Sequence, residues 1–391
     1  MIDEQGIEKN SDEEVEEAFN KYFNEIGKIM ASKINPPNLK FSVETQNSIQ
    51  SMFLGPITKN ELISQIKTLK NDAAQGEDNI TVKLIKNNHP HLLTPLLHLI
   101  NLIFVTGNFP KCLKHAIITP IHKSGDKKVT SNYRPIALTS NLSKLVEKCI
   151  KLRLTQYLAK NNLLSNKQFG FCKDFSTEDA VICLTDYVNR SLSEGNVSMG
   201  IFLDLGKAFD TVTHQILLTK LEKLGIRGLP HKLFKSYLSE RTQSVKINNS
   251  ISTPKSVEFG VPQGTVLGPV LFLIYVNELL NLIPEDEGHM VCFADDTAIV
   301  IKGKSWEEIV RKEEVAITKV KSWFDENYLT LNADKSTLVC FSVNKAKSST
   351  ITEVTIHKHS CQRGNSFDCT FKIKKSKTVK YLGVIIDQSL N

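Results

Sequence analysis

Two aspartates, Asp295 and Asp296, stand side by side in VCFADDTAIVI between two short apolar runs. The pattern predicts a β-hairpin with the pair at its tip. Adjacent carboxylates repel, so a divalent cation gripped by their oxygens is one reason to keep them there; an ordinary Asp-rich turn is the other. A second run, MGIFLDLGKAFDTV, ends an apolar stretch on Asp204 and carries a further acid at Asp210. If the two strands are neighbours in one sheet, Asp204 and Asp295 can share two Mg²⁺ ions. One ion would activate a 3′-hydroxyl and the other stabilise a leaving pyrophosphate. Asp296, turned to the opposite side of a pleated strand from Asp295, is expected to support them.

These acids need a frame, and the hydrophobic pattern predicts one. The segment SDEEVEEAFNKYFNEIGKIM repeats apolar residues at helical spacing, and KINPPNLKFSVETQNS reads as a linker ending near Pro56. Thr58 and Glu61 fit a capping box for TKNELISQIKTLKND, and HLLTPLLHLINLIFVTGNFP predicts a helix stopped by Gly107 and Pro110. Beyond Ala116, β-rich runs (AIITPIH, SMGIFLD, SVKIN, VCFA, TAIVI, TLVCFSV) alternate with helical stretches, including LGPVLFLIYVNELLNLI and SWEEIVRKEEVAITKVKSWFDEN. The fold class is α+β or α/β.

In this order, FLDLGKAFDTV, GVPQGTVLGPVLF and FADDTAIV resemble the three central palm motifs of reverse transcriptases. NYRPIALTS, QFGF, LNADKSTLVCF and YLGVIID resemble flanking motifs of the non-LTR retrotransposon class, jockey-like elements included. The resemblance runs from about Thr58 to Asp387. It implies an α+β right-hand polymerase: fingers and palm, an antiparallel palm sheet flanked by helices, and a thumb largely absent because the chain stops soon after YLGVIID. Residues 1–57 would be an N-terminal amphipathic helix and linker, and residues 58–391 the reverse transcriptase domain. The activity implied is RNA-directed DNA synthesis from an RNA template, a DNA primer and dNTPs, with two Mg²⁺ ions or Mn²⁺ in their place.

Residue by residue, the resemblance assigns both metals to Asp204 and Asp295. Phe209 resembles the steric gate beneath the sugar, with a core aromatic as the alternative. Gly260, Pro262 and Gly264 tighten the backbone around Gln263, which would touch the incoming nucleotide. Arg134 matches the finger arginine on the triphosphate, and Lys123 is either a second phosphate contact or a surface lysine. Lys335 resembles a palm lysine that protonates pyrophosphate, or is a solvated loop residue. Tyr381, Leu382 and Gly383 resemble the hairpin that positions the primer end. Departures are AAQGEDNI in place of a Lys-Ala-Pro-Gly-x-Asp-Gly-Ile pattern, Gly206 where serine is common, and Thr213 in place of an aspartate.

Composition bounds the partners. The 391 residues carry a net charge of +7, and the first thirty hold nine acidic and three basic side chains; that net of −6 leaves +13 on the remainder. Such a basic body suits a phosphate-rich partner. Eight cysteines include no C-x-x-C pair, and MIDEQGIEKN lacks a signal pattern, so an intracellular protein of the nucleus or cytoplasm is expected. Proline and polar residues interrupt the longest apolar runs, so no membrane span is expected. His357, His359, Cys361 and Cys369 follow no ordinary zinc spacing and are read as an exposed β-hairpin insertion. The alternative to an active polymerase is a truncated, inactive remnant that binds nucleic acid. A group II intron maturase-like reading lacks a following RNA-binding helical domain, and oligomeric state is not legible.

Overall fold

The computed structural model describes residues 1–3, 6–34, 48–342, 349–357 and 370–390. Its chain forms two compact units. One comprises Met1–Ile29, Gln46–Leu163 and Phe209–Ile274; the other comprises Met30–Thr45, Leu164–Ala208 and Tyr275–Asn391, so far as these are described.

The first unit holds most of α1 (Asp12–Ser32), α2 (Lys59–Lys67), α3 (Val82–Asn87), α4 (His89–Thr106), β1 (His115–His122), β2 (Tyr133–Leu138) and α5 (Asn141–Lys160). It continues with α7 (His214–Lys223), α8 (Leu229–Leu238), β4 (Arg241–Ile247), β5 (Ser250–Ile251), β6 (Lys255–Val257) and most of α9 (Gly268–Val276). Its sheet runs β2-β1-β4-β5, with β6 also on β4. Phe19, Tyr22 and Phe23 of α1 pack over Ala116, Ile118, Ala137 and Val245 of that sheet. The expected amphipathic stripe is therefore this helix's docking face. The Thr58–Glu61 capping box forms. Arg153 of α5 then grips Glu61 at 2.8 Å and holds its carboxyl down to about 2.

The second unit holds α6 (Thr177–Ser193), β3 (Val197–Gly206), β7 (Gly288–Phe293), β8 (Asp296–Gly303), α10 (Trp306–Glu326), β9 (Thr330–Phe341), β10 (Glu353–His357), β11 (Thr370–Lys375), β12 (Thr378–Tyr381) and β13 (Val384–Asp387). Its six-stranded sheet runs β10-β11-β9-β3-β8-β7, antiparallel except where β11 meets β9. Phe202, Val291, Ala298, Val300 and Val339 of the sheet share a core with Ala180, Leu184 and Val188 of α6.

One expectation is corrected. LGPVLFLIYVNELLNLI is not one helix: α9 ends at Val276 and a 3-10 turn follows over Asn277–Asn281. The Asn277 side chain accepts the Ser165 N–H at 2.8 Å, so a tertiary bond competes with continuation of the helix. The strands flanking the His/Cys segment, β10 and β11, pair antiparallel, with Val354, Ile356 and Ile373 buried, and β11 extends the main sheet. His359, Cys361 and Cys369 lie outside the described residues, and of His357 only the backbone is described. No helix among the described residues is long and apolar enough to cross a membrane.

Candidate active site

The two acidic motifs meet on neighbouring strands of the second unit. β3 and β8 pair antiparallel as far as Leu203↔Thr297. Asp204 on β3 and Asp296 on β8 each lie one residue beyond that last pair, so both stand at the same end of the sheet. Asp295 sits beside them in the two-residue turn that closes β7 onto β8 through Phe293↔Asp296. Its partner in the turn, Ala294, has φ 59°, the sign that a type II′ hairpin needs at its first position. Asp204 and Asp295 are half-buried and Asp296 is exposed. Adjacency of the strands thus matches the expectation.

On its other side β3 meets a bulge. Pairing to β9 jumps from Phe202↔Thr337 to Asp204↔Asn332, so Ala333, Asp334, Lys335 and Ser336 together face Leu203. The Ser336 hydroxyl closes this excursion: it accepts the Asp204 N–H at 3.1 Å and donates to the Asn332 carbonyl at 2.8 Å. Lys335 is exposed on the bulge, at the same sheet end as Asp204. Nothing in LNADKS by itself signals the bulge, since its extra residues become visible only against the facing strand.

Carboxylate oxygens are hard donors of the kind Mg²⁺ takes. Among the described residues no group of three or more His, Cys, Asp or Glu converges to hold a metal unaided. Mg²⁺ is ordinarily bound by one or two carboxylates with water and substrate phosphates completing the shell. Asp204 and Asp295, at one sheet end, match in type and number the carboxylates such an ion takes from a protein.

The hairpin of β12 and β13 turns through Leu382 (φ 49°) and Gly383 (φ 90°), both left-handed as a type I′ turn requires. Tyr381 faces inward. It is buried, its ring lies 5.4 Å from that of Phe202, and burial pushes its hydroxyl well above the ordinary tyrosine range. Leu382 and Gly383 form the tip.

The remaining candidates lie in the first unit. Phe209 stacks on buried Phe272 at 4.2 Å. Gln263 is fixed twice: its carbonyl accepts the Ala137 N–H at 2.7 Å, and its side-chain amide donates to Asp210 at 2.8 Å. Asp210 therefore has a positioning role that its place in the sequence did not reveal. Gly264 (φ 102°) lies so close to β2 that a Cβ would sit 2.9 Å from the Ala137 carbonyl. Glu147, wholly buried, accepts the Val266 and Leu267 N–H groups at 2.8 and 3.0 Å just ahead of α9. Burial pushes its carboxyl up, with Arg241 opposing. Arg134 is exposed on β2, and Lys123, exposed just past β1, donates its N–H to the Asn132 carbonyl at 2.9 Å. Both lie on the ribbon that β1 and β2 form.

Comparison with known proteins assigns residues 121–386 to the family described as reverse transcriptase (RNA-dependent DNA polymerase). The "Probable RNA-directed DNA polymerase from transposon BS" of Drosophila melanogaster is 30% identical over 358 residues, 89% of this chain and 38% of that protein. The RNA-directed DNA polymerase from mobile element jockey of the same organism is 29% identical over 349 residues, 87% of this chain and 36% of its own length. The Pol polyprotein from type-1 retrotransposable element R2 of Popillia japonica is 28% identical, with 72% and 39% covered. The chain spans under two-fifths of the length of each.

Proposed function

Because this chain belongs to the reverse transcriptase (RNA-dependent DNA polymerase) family, we propose that it is the polymerase portion of a non-LTR retrotransposon protein. It extends the 3′-hydroxyl of a DNA primer with dNTPs along an RNA template. The observation that carries this reading is the meeting of β3 with the β7–β8 turn, which gathers Asp204, Asp295 and Asp296 at one sheet end. The relatives, an RNA-directed DNA polymerase from mobile element jockey and a probable one from transposon BS, support it.

Two Mg²⁺ ions, or Mn²⁺ in their place, supply activation of the primer hydroxyl and charge neutralisation at the leaving pyrophosphate when bound. Asp204 and Asp295 would hold them, with Asp296 in support. Lys335, exposed on the bulge, donates a proton to the departing pyrophosphate. Arg134 and Lys123 grip the triphosphate, Gln263 and Gly264 lie against the incoming nucleotide, and Phe209 closes the floor beneath its sugar. Leu382 and Gly383 position the primer end on a hairpin that Tyr381 anchors. In this reading the second unit is the palm and the first supplies the fingers. Residues 58–391 form the polymerase domain, and the helix within residues 1–57 adds a layer over the first sheet. The substrates imply a nuclear or cytoplasmic site of action.

The test is primer extension on an RNA template with Mg²⁺. Parent protein should extend the primer, and Asp204→Asn and Asp295→Asn should each reduce extension to background. The reading is falsified if either variant retains parental activity, whereas an inactive parent points to the inactive nucleic-acid-binding remnant.

A further inference from the structure

The turn that carries Asp295 is held from outside its own hairpin. Residues Lys167 and Phe169 run alongside β7: the Cys292 N–H donates to the Lys167 carbonyl at 3.0 Å, and the Phe169 N–H to the Cys292 carbonyl at 2.9 Å. Between them Gln168, only 3% exposed, turns its side chain along the hairpin end. Its Oε1 accepts two backbone N–H groups, Gly170 at 2.8 Å and Ala294 at 2.9 Å. Two donors meeting at one atom require the carbonyl oxygen there, which fixes the orientation of the amide. Gly170 permits the approach, because a Cβ at that position would sit 2.3 Å from the Ala294 nitrogen.

Ala294 is the residue that needs holding. Its φ of 59° is one that L-residues with a Cβ rarely adopt. Such a conformation persists only where surrounding contacts over-determine it. The amide gripped by Gln168 belongs to this strained residue, and the next residue is Asp295. From these contacts we infer that Gln168 is a positioning residue of the polymerase site, fixing the left-handed turn at Ala294 and so the aim of the Asp295 carboxylate. The inference rests on the polymerase reading above for its functional consequence, and on the hydrogen bonds alone for the brace.

Three variants of the full chain test it: Gln168→Met, which keeps length and burial but removes the oxygen; Gln168→Glu, which restores an acceptor; and Asp295→Asn. Hydrogen exchange reads the brace without reference to activity. In Gln168→Met the Ala294 amide should exchange about tenfold faster, as expected for loss of one buried hydrogen bond. The Ile201 and Ile299 amides in the strand cores should stay unchanged, which shows that the variant has folded. Gln168→Glu should recover most of the protection. In primer extension Gln168→Met should lower kcat by about tenfold with the dNTP KM within about twofold, and should raise the Mg²⁺ concentration for half-maximal rate. Gln168→Glu should recover kcat in part.

Unchanged Ala294 exchange in a folded Gln168→Met overturns the brace. Faster exchange with parental kcat and Mg²⁺ dependence overturns its positioning role. A parent without extension activity, or an active Asp295→Asn, overturns the polymerase reading instead, and the exchange arm then decides the brace alone.

Discussion

Glu313 offers a quantitative test of how the second unit is packed. It lies on α10 between Ile309 and Ile317, is 5% exposed, and its Oε1 has no hydrogen-bond partner among the described residues. Burial, with a smaller contribution from Glu314, pushes its carboxyl from 4.5 up to about 8. The folded state thus binds this proton more tightly than the unfolded state does. The resulting stability is fully present below pH 4.5 and is lost as the pH rises through 8. Replacing the acid by the uncharged amide in Glu313→Gln removes that dependence. Linkage between the two pKa values then predicts that the unfolding free energy of the variant gains on the parent by about 3.5 kcal/mol between about pH 5 and pH 8. Any packing difference between acid and amide is independent of pH and drops out of the comparison. Urea unfolding followed by tryptophan fluorescence is a suitable assay, because the chain's two tryptophans, Trp306 and Trp323, both lie on α10. Parallel pH profiles for parent and variant would refute the reasoning and mean that Glu313 ionises in the folded protein near its ordinary value.

Two further outcomes are expected. Phe209→Val, by removing a ring stacked on Phe272, should lower the ratio of kcat/KM for deoxy- over ribonucleotides by about tenfold or more; an unchanged ratio would make Phe209 a core aromatic only. Template–primer affinity should fall steeply with salt, because the sequence beyond the acidic first thirty residues carries +13. A flat plot of log affinity against log salt, from filter binding or anisotropy, would exclude phosphate contacts as the main source of binding.

What the sequence determined by itself was local. Apolar runs on either side of the Asp295–Asp296 pair announced a hairpin, and the hairpin forms with a two-residue turn. Thr58 and Glu61 announced a helix start, and both halves of the capping box are made. Such signals survive in a single chain because a cap or turn is decided by residues a few positions apart. The ordered motifs around Asp204, Gln263 and Asp295 likewise carried the family, which the match over residues 121–386 bears out. Tertiary structure decided what lies opposite what. That Asp204 comes to the same sheet end as Asp295 and Asp296 follows from the register of β3 on β8, set over seven residue pairs. The bulge that exposes Lys335 exists only because β9 lies against β3, and Ser336 bonds the backbone of a residue 132 positions away. Gln168 read as part of QFGF, with no sign that its side chain would reach 126 residues along the chain to Ala294. Contacts of this range are selected by the burial of α6 and the sheet as a whole, so the chemistry of one residue cannot reveal them until the strands are in place.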